Sequence, residues 1–176
     1  MFIVSFATPK YEVEAAILLR DMQAFNIPHE VHFIPDMGGW LQANFYKAEF
    51  IKAMLIKHNR PVVWLDADTE IREYPALFDE LTCDFAVNYF KNTQLAAGMM
   101  YFGNTLKAYA LLHAWTEENK KHPDLMDQTN LQAVITNCPE LNVVHLPREY
   151  CTFDLCKEQT NAVLWSRQAS RIHREA

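Results

Sequence analysis

One stretch limits what this chain can fold into more than any other: Pro61, Val62, Val63, Trp64, Leu65, Asp66, Ala67, Asp68, Thr69. Pro61 opens it, and four apolar residues, mostly β-branched or aromatic, follow. A run of this kind, bounded by turn formers, reads as a buried strand. Two carboxylates come directly after it, with one small residue between them. Residues i and i+2 of an extended segment point to the same side. Asp66 and Asp68 are therefore expected to converge on one cation at the carboxyl end of a strand, where open α/β sheets bind ligands. A lone Asp there reads as a turn former or an N-cap. Two of them around an Ala favour a metal site.

The pattern around this stretch alternates between the two periods. Phe2 to Phe6 reads as a first buried strand, broken by Ala7, Thr8 and Pro9. Ala15, Leu18, Leu19, Met22 and Phe25 recur at helical spacing and predict a helix from about Tyr11 to Phe25, stopped by Asn26 and Pro28. Val31 to Ile34 supplies the next strand. Gly38 and Gly39 lead into Trp40 and a helix from about Leu41 to His58 that runs up to the acidic strand. This β–α–β order predicts an α/β fold with a mostly parallel central sheet flanked by helices.

Further on, Ile71 to Phe78 reads as a short turn-like helix, and Asp84 to Tyr89 and Leu95 to Phe102 as strands. Gly98, inside the second of these, marks a bulge or the close approach of another group. A long helix is expected after Gly103, with Asn104 as N-cap. Leu106, Ala110 and His113 face the core in that reading, with Leu112 and Trp115 beside them. Another helix opens at Met126, Asp127 and Gln128, and Leu141 to Leu146 reads as a late strand. The tail from Ser166 to Arg174 is the one locally basic segment. Its Arg residues suit phosphate oxygens, and the alternative is a frayed, solvated end.

Composition narrows the function classes. The chain has 176 residues, half of them hydrophobic, which is enough for one domain with a substantial core spanning 1–176. The net charge is −6, without a dominant basic stripe, which argues against nucleic acid as a partner. No run reaches membrane-spanning length. The four Cys show no CxxC spacing. They read as reduced thiols of a cytoplasmic protein, with a Cys151–Cys156 bridge as the alternative. Nothing in the sequence specifies an oligomeric state.

Only four Gly are present, at 38, 39, 98 and 103, so there is neither a G-x-G-x-x-G nor a P-loop. A phosphorylated ligand must then rely on something other than a Gly-rich backbone cradle. Mn²⁺ or Mg²⁺ on Asp66 and Asp68, helped by Lys or Arg, would serve. Lys47 is a candidate because its helix leads straight into the acidic strand; Lys52 and Lys57 read as solvated. Asp127 has a competing reading as a favourable charge at a helix N-terminus.

These motifs, in this order, resemble the GT-A-fold glycosyltransferases of the nucleotide-diphospho-sugar transferase superfamily, most closely a group of short members. Phe2 to Thr8 is similar to the nucleotide-binding start, and Pro61 to Thr69 to their "PVVWLDAD" segment. Trp40 and Lys47 stand where these proteins carry a Trp and a basic residue. Leu95 to Gly98 resembles the strand that borders the donor sugar, Asp127 and Gln128 the DQ pair, and Gln168 to Arg171 the terminal "QASR". Two positions depart from the pattern: Ala97 stands for the usual Ser, and Ser166 for a late His that often ligates the metal.

The resemblance implies a metal-dependent transferase taking a sugar from a nucleotide-diphosphate donor to an acceptor that the sequence does not identify. It implies Asp66 and Asp68 as ligands of Mn²⁺ or Mg²⁺, and Thr8, Lys47, Asp66, Ala97, Gly98 and Arg171 around the donor. Asp127 is then the base or orienting group, with Gln128 against the sugar. The two departures motivate an alternative, a nucleotide-sugar-binding protein of the same fold without turnover. A phosphatase with an aspartyl nucleophile fits less well, because Glu70 stands where such enzymes carry Thr or Val.

Overall fold

The computed structural model describes residues 1–91, 93–153 and 161–174, with side chains through Arg171. Cys156, and with it the Cys151–Cys156 pairing, lies outside the described residues, as do the side chains of the last basic residues. The chain starts with strand β1 (Ile3–Ala7), helix α1 (Glu12–Ala24), strand β2 (His29–Phe33), helix α2 (Trp40–His58) and strand β3 (Val62–Leu65). Then come β4 (Thr69–Ile71), α3 (Leu77–Glu80), β5 (Phe85–Phe90), β6 (Gln94–Phe102), α4 (Leu106–Lys121) and α5 (Asp127–Thr136). The last elements are β7 (Val143–His145), β8 (Thr152–Phe153), β9 (Leu164–Ser166) and α6 (Ala169–Arg174).

Six strands form the central sheet in the order β2-β1-β3-β6-β5-β7. β1 pairs parallel with β2 and β3, and β5 pairs parallel with β7, while β6 runs antiparallel to β3 and β5. β1, apolar but for Ser5, and β3, an unbroken apolar run, are buried along their whole length. Alternate residues of β3 serve opposite layers. Val62 and Trp64 pack with Phe50, Met54, Leu112, Trp115 and Leu131 from α2, α4 and α5. Val63 and Leu65 pack with Leu18 and Met22 of α1 on the other face.

Several local expectations are corrected. Thr105 rather than Asn104 caps α4, accepting the Ala108 N–H at 3.1 Å. Leu106, Ala110 and His113 are exposed; Ala108, Leu111, Leu112 and Trp115 face the core. Both rows have helical spacing, and the row that buries the large Trp115 ring wins. Ile71 ends β4 instead of opening a helix, because Asp21, buried on α1, accepts its N–H at 3.1 Å. The Gly103 backbone approaches that of Cys83 so closely that a Cβ would stand 2.3 Å from the Cys83 carbonyl oxygen.

Two features aim the molecule at one end of the sheet. Between Val87 and Asn88 the β5–β6 register shifts, so that Val87 faces Met100 while Asn88 faces Ala96. Ala97, Gly98 and Met99 are thereby left out of the β5 ladder and bulge away from it. A second, three-stranded sheet, β4-β9-β8, brings the C-terminal segment back to the acidic turn. Thr69 pairs with Ser166 there. Among the described residues no helix is long and apolar enough to cross a membrane.

Candidate active site

The acidic pair is presented by a turn, which corrects the expectation of an extended segment. The Thr69 N–H donates to the Asp66 carbonyl at 2.9 Å, and the Asp66 N–H donates to the Gly98 carbonyl at 2.8 Å. The bulged β6 thus holds the start of the turn, and both carboxylates still line the same cavity. Gly98 permits this fit: a Cβ there would stand 3.1 Å from Asp66 Oδ2. Both readings of this glycine, bulge and close approach, apply.

Lys47 is the hub. It lies on the face of α2 that also carries Trp40 and Asn44, at i, i+4 and i+7. Its side chain is 3% exposed, with Nζ 3.0 Å from Asp66 Oδ1 and 3.4 Å from Asp127 Oδ2. Nζ also donates to the Ala97 carbonyl at 3.3 Å, which gives that bulged residue a backbone role whatever its side chain. Trp64 Nε1 donates to Asp66 Oδ1 at 2.8 Å. Burial alone would lower the Lys47 ammonium, but Asp127 and Asp66 outweigh it and hold its pKa raised. Lysine 47 is therefore charged.

Asp127 opens α5, and its carbonyl accepts the Trp115 indole N–H at 2.8 Å, which anchors the helix start to α4. Burial pushes its carboxyl upward; Lys47 opposes this, and the Asp66 charge adds to it. Its Oδ2 accepts no aligned hydrogen bond among the described residues, so the contact with Lys47 is one of charge. Asp68 is buried and accepts the Ala169 N–H at 2.8 Å, while its carbonyl accepts the Arg167 N–H at 3.0 Å. Burial, then the Asp66 charge, raise its pKa to about 6. Asp68 is thus an N-terminal acceptor for α6, a helix distant in sequence.

Two adjoining cavities meet at this cluster. The larger, about 370 Å³, is lined by Ala97, Gly98, Asp127, Gln128, Ser166 and Arg171, among others. The smaller, about 100 Å³, is lined by Thr8, Tyr11 and Trp64. Trp40, Asn44, Lys47, Asp66, Asp68 and Ser170 border both. Lys47, Asp66 and Asp68 therefore sit at the junction. Thr8 lies only on the smaller side. Arg171 is exposed on the larger side, so the basic tail folds back to the cleft.

Sequence reasoning missed several lining residues. Asn44 was legible, because it shares the helical face of Trp40 and Lys47. Ser170 sits inside the quoted C-terminal motif. Phe90 and Phe153 carry no local signal; a bulge and a remote sheet bring them to the cavity.

No family model matches the sequence, and no curated protein matches it. By structure the chain is similar to a glycosyltransferase involved in glycosylation of the major capsid of PBCV-1. That likeness has a TM-score of 0.77 at 11% identity and covers 99% of this chain and 96% of the other. It is also similar to the apo-form glycosyltransferase GlyE of Streptococcus pneumoniae TIGR4, with a TM-score of 0.67 at 11% identity over 94% of this chain. It spans about half of that second structure, 53%. The chain has a GT-A-like glycosyltransferase fold, with its charged cluster at the carboxyl end of β3.

Proposed function

We propose that this chain transfers a sugar from a nucleotide-diphosphate donor to an acceptor, with a divalent cation, Mn²⁺ or Mg²⁺, on Asp66 and Asp68. The observation that carries this reading is the position of the acidic pair and Lys47 at the junction of the two cavities, with Asp127 paired to Lys47 on the larger side. A donor laid across it has its nucleoside beside Thr8, Tyr11 and Trp40, and its diphosphate against the junction. The sugar then lies beside Ala97, Gly98, Asp127 and Gln128.

The residues fit a divalent ion. Asp66 and Asp68 are close enough that the charge of the first raises the pKa of the second. Asp66 Oδ2 accepts no hydrogen bond from the described residues, and Asp68 Oδ1 none from another residue. Among the described residues no group of three or more His, Cys, Asp or Glu side chains is so placed that it could hold a metal ion. Hard cations of this size are commonly held by one or two carboxylates plus substrate phosphates, which is what this pair offers. When bound, such an ion supplies Lewis-acid stabilisation of a departing diphosphate.

The chain's own groups do the rest. Lys47 keeps Asp66 and Asp127 from repelling each other and fixes their orientation. Arg171 adds positive charge on the larger side, where phosphate oxygens would lie. Asp127, raised by burial, is a stronger base than a solvated carboxylate and faces the cavity that holds the reacting sugar. Gln128 offers an amide to the sugar ring.

Calorimetric titration with UDP and with GDP, each with and without Mn²⁺, tests this reading. Tighter binding with Mn²⁺ is expected, and Asp66→Asn loses at least the roughly ten-fold that changing even an outer-shell partner of a metal ligand costs. Binding that ignores both the ion and the substitution sinks the proposal. A second reading, binding without turnover, draws support from Ser166 and from the use of Asp68 as an acceptor for α6. Hydrolysis of UDP- and GDP-sugars with Mn²⁺ separates the two.

A further inference from the structure

We infer that the larger cavity carries an acceptor subsite built for a carbohydrate ring, formed by Phe90, Phe153, Gln94 and Gln128. This inference rests on the transferase reading above and names its acceptor class. Phe90 and Phe153 both line the cavity, with ring centroids 5.0 Å apart at 53°. Gln94 lies directly across the β5–β6 hairpin from Phe90, so the two side chains share a face. Neither Gln94 nor Gln128 spends its side-chain amide on a hydrogen bond among the described residues. By contrast, Gln132 uses both ends of its amide on Leu95 and Thr93.

None of these four residues borders the smaller cavity. They belong to the side where an acceptor must enter, beside the Asp127 carboxylate. The chemistry of the set is mixed in a particular way. Aromatic rings present a negative face that attracts C–H groups carrying partial positive charge, and a pyranose offers such a patch of axial C–H bonds. Its hydroxyls around the rim need amide donors and acceptors, which Gln94 supplies, while the amide of Gln128 has one end for this ring and one for the donor sugar. Lys91 Nζ lies over the Phe90 ring, 5.3 Å from its centroid, on an exposed side chain that can swing aside for a sugar ring. A serine or threonine side chain in a peptide has no flat apolar face for the two Phe rings.

The test is saturation-transfer NMR on the protein with UDP, GDP and diamagnetic Mg²⁺ present, using methyl β-glucoside, β-galactoside and α-mannoside as probes. A Ser/Thr-containing heptapeptide serves as the competing class. The expected result is transfer to at least one glycoside, strongest on its axial C–H face. Phe90→Ala weakens that glycoside about ten-fold, while Phe90→Trp retains it. Nucleotide affinity, measured in parallel by calorimetry, stays unchanged in both variants and reports that they are folded. Transfer to the peptide alone, or to no probe while a nucleotide binds, overturns the acceptor inference and leaves the donor reading standing. Absence of nucleotide binding overturns both.

Discussion

Lys47 Nζ lies 3.4 Å from Asp127 Oδ2, with the two side chains only 3% and 5% exposed. Asp66 completes the group at 3.0 Å on the solvent side, with 37% exposure. One ammonium therefore serves two carboxylates, and the cluster keeps a net negative charge facing the cavities. That balance supports the cation proposed for Asp66 and Asp68, and the burial of the pair makes the lysine costly to lose.

Lys47→Met is expected to destabilise the fold by about 3–5 kcal/mol, the cost of leaving a buried partner charge uncompensated. Asp127 is the partner that suffers, since Asp66 can turn to water. The double variant Lys47→Met/Asp127→Leu recovers a large part of the loss. Urea unfolding of the wild type, both single variants and the double variant measures the coupling. Additive losses would mean that the pair is not a pair in solution.

Asp68 gives a pH dependence. Its pKa is raised from 3.8 to about 6, so the folded chain binds that proton more tightly than the unfolded chain does. The contribution to stability is therefore present in full at low pH and is lost as pH rises from about 4 to about 6. Asp68→Asn keeps an acceptor for the Ala169 N–H and removes the buried charge. At pH 7.5 it is expected to gain on the order of 1–3 kcal/mol, visible as a Tm several degrees higher, and the gain shrinks towards pH 4. The same substitution is expected to remove the proposed Mn²⁺-dependent nucleotide binding. In the wild type that binding is expected to weaken as pH falls through about 6, because a cation needs the deprotonated carboxylate. A variant less stable than wild type at pH 7.5 would show that the charge is not a burden.

Much of this site was legible before the fold was known because its parts are local. Val62 to Leu65 spells a buried strand, and the two carboxylates after it announce a site at the strand's end. Trp40, Asn44 and Lys47 share one helical face within a single element. What could not be read depends on pairings remote in sequence. The shift between Val87 and Asn88 pushes out Ala97 and Gly98, and no residue near Val87 advertises it. β9 returns to pair with β4, so that the Asp68 carboxylate meets the Ala169 N–H more than a hundred positions away. A local pattern for Asp68 suggests a cap on the next element; the real partner is a helix that only the second sheet delivers. The phase of α4 went astray for the converse reason. Its two apolar rows are equally periodic, and tertiary burial of Trp115 chooses between them.

Gly98 tests whether the bulge shapes the proposed cation site. A Cβ there would meet Asp66 Oδ2 at 3.1 Å and Asp66 Cγ at 3.6 Å, and no backbone group at all within 4 Å. The carboxylate must give way by a few tenths of an ångström, which Asp66 can do because it is partly exposed. Gly98→Ala should therefore leave global stability within about 1 kcal/mol of wild type. The shifted carboxylate no longer sits where Trp64 Nε1 and Lys47 hold it, at 2.8 and 3.0 Å. Loss of such an orienting contact typically costs 10–100-fold in metal affinity, so Mn²⁺-dependent UDP or GDP binding is expected to fall by about ten-fold or more. Calorimetry with and without Mn²⁺, beside a urea unfolding curve, reads both quantities from one preparation. If stability collapses while Mn²⁺ dependence survives, the close approach of Gly98 serves packing of β6 against β3 and not the acidic pair.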